Sequence, residues 1–454
     1  MGRLTLEQAA RWCGGKIDPK YADAPFFGAN NDTRELKPGE LFVALKGVRD
    51  GHDFIPAAIE RGAGAILCSH CEADFPAIVV EDPRKALGDI ARQERRRLGI
   101  KVVGVTGSVG KSTTKEMIAA VLQTTFRTGK SPVNHNNDLG LPMSILALPE
   151  DTEVAVLEMG MNHFREMAYL TSIARPDVAV IINIGTMHIE HLGSIEGILQ
   201  AKLEILEGME DDGTVILNGD DQLLWNLHRL QTQRNVVYFG ENNVHSTVRA
   251  QNVTEGDGLL SFRVTCGTLN FPVELALDGH HMVPDALAAI TVGIQLGVDP
   301  SRIQESLCQF RNMAGRQEIL EIRGLTIIKD CYNAGPESMA AALNVLGNKS
   351  GRKIAVLGDM LELGVCTQAE HYRVGRIAAE KADFLLAYGP NSGRILNGAL
   401  TGGMSGTRAR AFEDRDALVD ALKRIAKPGD VILFKGSRGM HLELALEKFL
   451  QDET

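Results

Sequence analysis

VVGVTGSVGKSTTKEM, residues 102–117, is the stretch that decides the fold. An apolar strand runs into a turn containing Gly107 and Gly110, and a helix begins near Ser112. Strand, glycine-rich turn and helix in that order make a phosphate-binding loop, in which backbone N–H groups and the helix N-terminus cradle phosphate oxygens. Gly107 and Gly110 permit backbone geometry and a close approach that a side chain would block. Lys111 would place its ammonium against the β- and γ-phosphates of ATP, and Ser112 would offer its hydroxyl to Mg²⁺. Thr106, Ser108, Val109 and Thr113 complete the loop. The strict pattern GxxxxGK[ST] asks for glycine at 105, where this chain has Val105, so the match is the variant TGxxGK[ST]. An ordinary strand, turn and capped helix is the competing account, but it gives no reason for Lys-Ser directly after the second glycine.

Outward from the loop, KVVGV, VAVLEMG, DVAVIINIG and GTVILNGDD are continuous apolar strands separated by helical stretches. That pattern predicts a mostly parallel sheet covered on both faces. Between 248 and 277 the residues alternate, as in LLSFRVTCG and LNFPVELAL, which predicts an antiparallel edge or insertion, followed by a helix over 285–296. A second open-sheet α/β unit follows. It begins with the hairpin-like pair EILEIRG and LTIIKDCY and continues through KIAVLGD, FLLAYG and DVILFKG with helices between. Ahead of the loop lie short strands such as GELFVAL and helices over 56–61 and 84–98. The second of these helices ends in Arg95, Arg96 and Arg97, read here as a solvated face near a helix C-terminus. The expected organisation is an α/β chain of three domains. A small α/β domain occupies 1–99, a central phosphate-loop domain 100–312, and a Rossmann-like open sheet 313–454.

Length and composition set the frame. The 454 residues correspond to about three domains at roughly 150 residues each. Hydrophobic residues at 44% and charged residues at 23% exclude a disordered or fibrous chain. With 48 basic against 58 acidic residues the net charge is −10, which argues against nucleic acid or a membrane surface as partner. No apolar run reaches the length of a membrane span. The first residues, MGRLTLEQAARWCGG, lack an apolar signal core and predict an amphipathic helix. Seven scattered cysteines predict reduced thiols and a cytoplasmic chain, with Cys68 and Cys71 as two plain thiols rather than a metal site.

Taken together the motifs resemble those of the Mur ligases, the ATP-dependent amide-forming enzymes of peptidoglycan precursor synthesis. TGSVGKST is similar to their phosphate loop, VNHNNDLGLP (133–142) to their Asn-rich segment and LEMGM (157–161) to their Glu-x-Gly motif. NIGTMHIEHLGSIEGILQAKLEI (183–205) resembles the segment with a metal-binding histidine and a modified lysine. GHHMVPDALAA (279–289) resembles the adenine-contacting helix start, and GRQE (315–318) the opening of the third domain. Within the family, DCYNAGPESM (330–339), LGDMLELG (357–364), His371 and FKGSRGMHLE (434–443) are similar to the members that add D-alanyl-D-alanine. NDTRELKPGELFVALKGVRDGHDFI (31–55) resembles the uridine-nucleotide domain of those members and of the diamino-acid-adding ones. The DNPR-type motif of the diamino-acid-adding members has no counterpart here. Lys329, Gly335, Asp285 and Met282 depart from common family residues.

The resemblance implies a reaction: ATP phosphorylates a substrate carboxylate, and an amine attacks the acyl phosphate to give an amide. The substrates would be UDP-N-acetylmuramoyl-tripeptide and D-alanyl-D-alanine, and the enzyme a monomer that serves cell-wall synthesis, cell shape and division. It implies two Mg²⁺ ions, the first on Ser112 and Glu158, the second on His188 and a carbamylated Lys202. Lys111, Glu158, His188 and Lys202 would carry catalysis. His281, Arg316, Asp330 and Asn333 would meet the nucleotide. Asn134, Asn136 and Asn137 would touch substrate or phosphate, with a polar turn as the competing account. Lys435, Ser437 and Arg438 would face the cleft as a basic loop for an anionic substrate. Asp32, Thr33, Arg34, Lys46 and Gly47 would hold the uridine nucleotide. The alternatives are a diamino-acid-adding ligase and a non-catalytic nucleotide-binding regulator on the same scaffold.

Overall fold

The computed structural model describes residues 4–229, 233–256 and 258–451. Three α/β layers follow one another along the chain. The first carries a four-stranded parallel sheet in the order Ala29–Asn30, Leu41–Val43, Ala65–Cys68, Ala77–Val79, beside a short antiparallel ribbon of Leu4–Thr5 with Pro25–Phe26. Its first helix, Leu6–Cys13, starts at a reciprocal cap between Thr5 and Gln8 and ends at Gly14, whose φ of 69° suits glycine.

The central sheet has nine strands. Lys101–Thr106 lies between Val178–Ile181 and Val154–Glu158, all parallel, as the apolar runs require. Thr214–Asn218 and Asn235–Gly240 extend it on one side, and Thr128–Lys130 closes the other. The alternating stretch forms the antiparallel edge: Val248–Gly256, Leu259–Cys266 and Leu269–Leu275 are paired in succession. The helix that follows spans Met282–Gln295.

The third sheet runs Glu318–Ile322, Leu325–Asp330, Asp430–Lys435, Arg352–Gly358, Phe384–Tyr388, Ala409–Phe412. Only the opening hairpin is antiparallel. Its two apolar faces form cores built from residues beyond Leu325 alone. The first and central layers, by contrast, share one core that runs from Leu4 through Ile90 to Leu157 and Tyr238.

Within the basic run at 95–97 the structure corrects the expected solvated face at Arg95 alone, Arg96 and Arg97 being exposed. Arg95 is not a solvated side chain but a strut. It donates to the carbonyls of Ala174 and Arg175 and to Asp177, each at 2.9 Å, and its side chain is 13% exposed. Arg97 folds back on buried Glu94. No helix among the described residues is long and apolar enough to cross a membrane. The seven cysteines carry free thiols, and burial pushes Cys68 up to about 12.

Candidate active site

Parallel open sheets bind ligands beyond the carboxyl ends of their strands. Here the central and third sheets turn those ends toward a shared cavity of about 610 Å³. The phosphate loop leaves Thr106 and enters the helix Lys111–Gln123. Gly110 has a φ of 84°, and a β-carbon there would stand 2.5 Å from Asp285 Oδ1, so glycine is required twice over.

The loop is held by a residue the sequence reading left unassigned. Asn183 Oδ1 accepts the N–H groups of Ser108 and Val109, each at 3.0 Å, and its amide donates to Val109 O. Ser108 Oγ exchanges hydrogen bonds with Gly185. This corrects the expectation for the turn, because the N–H groups of 108 and 109 are already engaged. The first-turn N–H groups of the helix, 111–113, have no intrahelical carbonyl to meet and remain the donors for phosphate oxygens. Lys111 Nζ rests on the carbonyls of Gly107 and Ser108 at 2.9 and 3.3 Å, and burial pulls its ammonium below the usual range against the attraction of Glu158.

Glu158 ends its strand 3% exposed. Ser112 Oγ donates to its Oε2 at 2.6 Å, Asn136 to its Oε1 at 2.9 Å, and Ser131 Oγ accepts its backbone N–H. A buried carboxylate beside a hydroxyl is a hard-oxygen donor pair that fits Mg²⁺. His188 has a φ of 65°, and its Nδ1 lies 2.7 Å from Glu362 Oε2 of the third layer, which leaves Nε2 toward a ligand. Burial and the charge of Lys111 lower its pKa, against the pull of Glu362, which favours the neutral ring. Lys202 is 2% exposed, and burial, with Lys111, pushes its amine well below the usual range. An amine is a poor Mg²⁺ ligand as it stands, and the neutral form is the one that takes up CO₂.

From the third layer, Arg316 stacks on Tyr332 at 4.0 Å, and both line the cavity with Asp330 and Asn333. His281, its pKa lowered by burial, lines the cavity too. Lys435 lines the cavity too, but it is no free basic group: its Nζ pairs with Asp330 Oδ2 at 2.7 Å and with Asn333 O at 3.1 Å. Ser437 is buried and bonds Ala334 O and Leu361 N–H, so Lys435 and Ser437 are internal wiring, whereas Arg438 is exposed beside Glu443. Asn137 lines the cavity while capping the N–H groups of Leu139 and Gly140. Asn134 is exposed, with a φ of 69°, and serves the turn outside the cavity.

The cavity gathers Ser108 to Thr113, Asn136, Asn137, Glu158, His188, His281, Arg316, Asp330, Asn333 and Lys435. Thr106, Gly107, Lys202, Asn134, Ser437 and Arg438 lie outside its lining. So do the residues of the first layer. There Arg34 grips Asp32 through both carboxylate oxygens and holds it down to about 2. Thr33 sits between them, and Lys46 and Gly47 belong to a loop bridged to Asp50 and Arg49. The departures have local partners. Lys329 faces Glu318 across the hairpin at 3.9 Å, and Gly335 makes room for Met187, whose sulfur would be 2.3 Å from a β-carbon.

Three family profiles match the chain: "Mur ligase family, catalytic domain" over 28–95, "Mur ligase middle domain" over 105–293, and "Mur ligase, glutamate ligase domain" over 315–438. The UDP-N-acetylmuramoyl-tripeptide–D-alanyl-D-alanine ligase of Bacillus subtilis is 39% identical over 99% of both chains, and that of Escherichia coli 35% over 99% of both. A crystal structure of MurF from Acinetobacter baumannii superposes with a TM-score of 0.90 at 30% identity, covering 100% of both chains. MurF from Thermotoga maritima in complex with ADP gives 0.81 at 31% identity, covering 93% of this chain and 97% of that one.

Proposed function

The chain belongs to the Mur ligase family, and from that premise we infer an ATP-dependent ligase that joins UDP-N-acetylmuramoyl-tripeptide to D-alanyl-D-alanine in peptidoglycan precursor synthesis. The observation that carries the reading is the single cavity in which Lys111 and the Ser112–Glu158 pair of the central sheet face Arg316, Asp330 and Asn333 of the third.

Each residue has a role that its surroundings support. The first-turn N–H groups and Lys111 hold the γ-phosphoryl group in line with the tripeptide carboxylate, where positioning and charge neutralisation do most of the work. Arg316, braced by Tyr332, and Asn333 bind the nucleotide from the third domain. His281 and the start of its helix meet the adenine. Ser112, Glu158, His188 and a carbamylated Lys202 would hold two Mg²⁺ ions, which would supply charge to polarise the phosphoryl oxygens. Asn136 keeps Glu158 aimed at that site. Asp32, Thr33, Arg34, Lys46 and Gly47 hold the uridine nucleotide on the first domain. The functional units are 1–99, 100–312 and 313–454. One chain supplies the whole cavity, so a monomer suffices, and free thiols with nucleotide substrates fit the cytoplasm.

A ligation assay tests the reading. Purified protein, ATP and Mg²⁺ are supplied with tripeptides ending in diaminopimelate or lysine, and with D-alanyl-D-alanine or a free diamino acid as amine. Amide formation with D-alanyl-D-alanine is expected. Amide formation with the diamino acid alone, or ATP hydrolysis with no amide, would overturn it.

A further inference from the structure

Among the described carboxylates that line the cavity, Glu337 is the one with a buried oxygen left without a partner. It stands in the first turn of the helix Pro336–Asn348, on the third domain. Its Oε1 accepts from Thr186 N–H and Thr186 Oγ1 of the central domain, both at 3.0 Å, and its Oε2 meets no donor. The neighbouring carboxylates are engaged: Glu158 by Ser112 and Asn136, Asp285 by Thr114, Asp330 by Lys435. Space has been cleared for this carboxylate, since a β-carbon on Gly185 would lie 2.9 Å from its Cδ and Oε1.

A buried acceptor without a donor is costly, and more so when it is charged. Such an atom in a ligand cleft marks where a ligand brings the donor. Of the organic ligands of the reaction, ATP is a polyanion, which a carboxylate repels, and the UDP-tripeptide is one overall, its single ammonium lying on the side chain of its last residue rather than at a reacting atom. The third, the dipeptide acceptor, carries its reacting nitrogen as an ammonium near neutral pH. We propose that Glu337 binds the α-ammonium of the incoming dipeptide through Oε2 and so sets the attacking nitrogen against the phosphate-loop side of the cavity. The proposal rests on the ligase reading of the same cleft. It also ties acceptor binding to domain docking, because Oε1 is fixed only where Thr186 of the central domain meets it.

Glu337→Gln keeps the shape and an acceptor for Thr186 but removes the charge. Two ligands are compared in wild type and variant: D-alanyl-D-alanine, and propionyl-D-alanine, which has the same backbone without the ammonium. Glu337→Gln should weaken D-alanyl-D-alanine about tenfold or more, as loss of a charge-assisted hydrogen bond does, and leave inhibition by propionyl-D-alanine within about twofold. KM for ATP, KM for tripeptide and the Mg²⁺ requirement should hold within about twofold. Hydroxylamine, a small uncharged amine, should trap the acyl phosphate as hydroxamate equally well in both proteins. Equal weakening of both dipeptide ligands would show that Glu337 is a domain latch only. A rise confined to ATP or Mg²⁺ would place it on the nucleotide side. Either result, or an unchanged KM for D-alanyl-D-alanine, would overturn the proposal. Absence of both amide and hydroxamate in the wild type would instead sink the ligase reading.

Discussion

Asp285 Oδ1 takes the Thr114 hydroxyl at 2.8 Å, and that same oxygen occupies the space a side chain on Gly110 would need. One carboxylate thus ties the helix Met282–Gln295 to the phosphate-loop helix and presses on the loop itself. The side chain faces inward to the loop.

Asp285 should make stability depend on pH. Burial pushes its carboxyl up to about 7, against the Thr114 hydrogen bond and the charge of Arg316. An unfolded aspartate titrates near about 4. Between those values the unfolded chain has released the proton and the folded chain still holds it. This group's contribution therefore falls as pH rises through about 4 to 7 and levels off above. Asp285→Asn keeps an acceptor for Thr114 and removes the titration. Relative to wild type, the variant should gain roughly 2 kcal/mol between pH 5 and pH 8. Paired denaturant titrations at the two pH values read it; a difference that does not change with pH would refute the buried-carboxyl assignment.

Lys111→Ala should abolish turnover with the fold intact. The ammonium is a charge stabiliser lodged on two loop carbonyls, and removing such a group costs on the order of a thousandfold in rate. The thermal midpoint should stay close to wild type. Near-normal ligation by the variant would remove the loop from the mechanism.

Lys202 should carry a carbamate. Burial favours its neutral amine, CO₂ adds to neutral amines, and the product is an oxygen ligand of the kind Mg²⁺ prefers. Protein prepared under ¹³C-bicarbonate should show a carbamate carbon by NMR that Lys202→Arg lacks. Activity should fall when CO₂ is stripped and return with bicarbonate. Full ligation by Lys202→Arg would end this assignment.

Motion should be confined to the third domain. The first two domains share a continuous apolar core and the Arg95 strut. The third meets the central domain through polar links: Glu337 to Thr186, Glu362 to His188, Lys349 to Asp278. Water can replace such links cheaply, and it cannot replace a core. Distance labels on the first and central domains should report no change on adding nucleotide and tripeptide. Labels on the central and third domains should report closure. The reverse pattern would overturn this partition.

What the sequence made legible was local. Lys111, Ser112 and the glycines sit within six residues of one another, so chain order alone brings them together. Strand character was equally plain, because a parallel strand buried on both faces must be apolar throughout. Asn183 and Glu337 escaped because their meaning comes from partners 74 and 151 residues away. Arg95 and Lys435 were misread for the same reason. A basic residue looks solvated until the carbonyls or the carboxylate that receive it are placed. Asn183 did leave a trace, as the polar residue that follows an otherwise apolar strand next to the loop strand.

The shared core of the first two domains has a consequence for selectivity. On the proposed function, the uridine nucleotide near Arg34 and the phosphoryl group at Lys111 would be held by one rigid body. That body would act as a calliper, favouring the peptide whose span brings its carboxylate to the phosphoryl group.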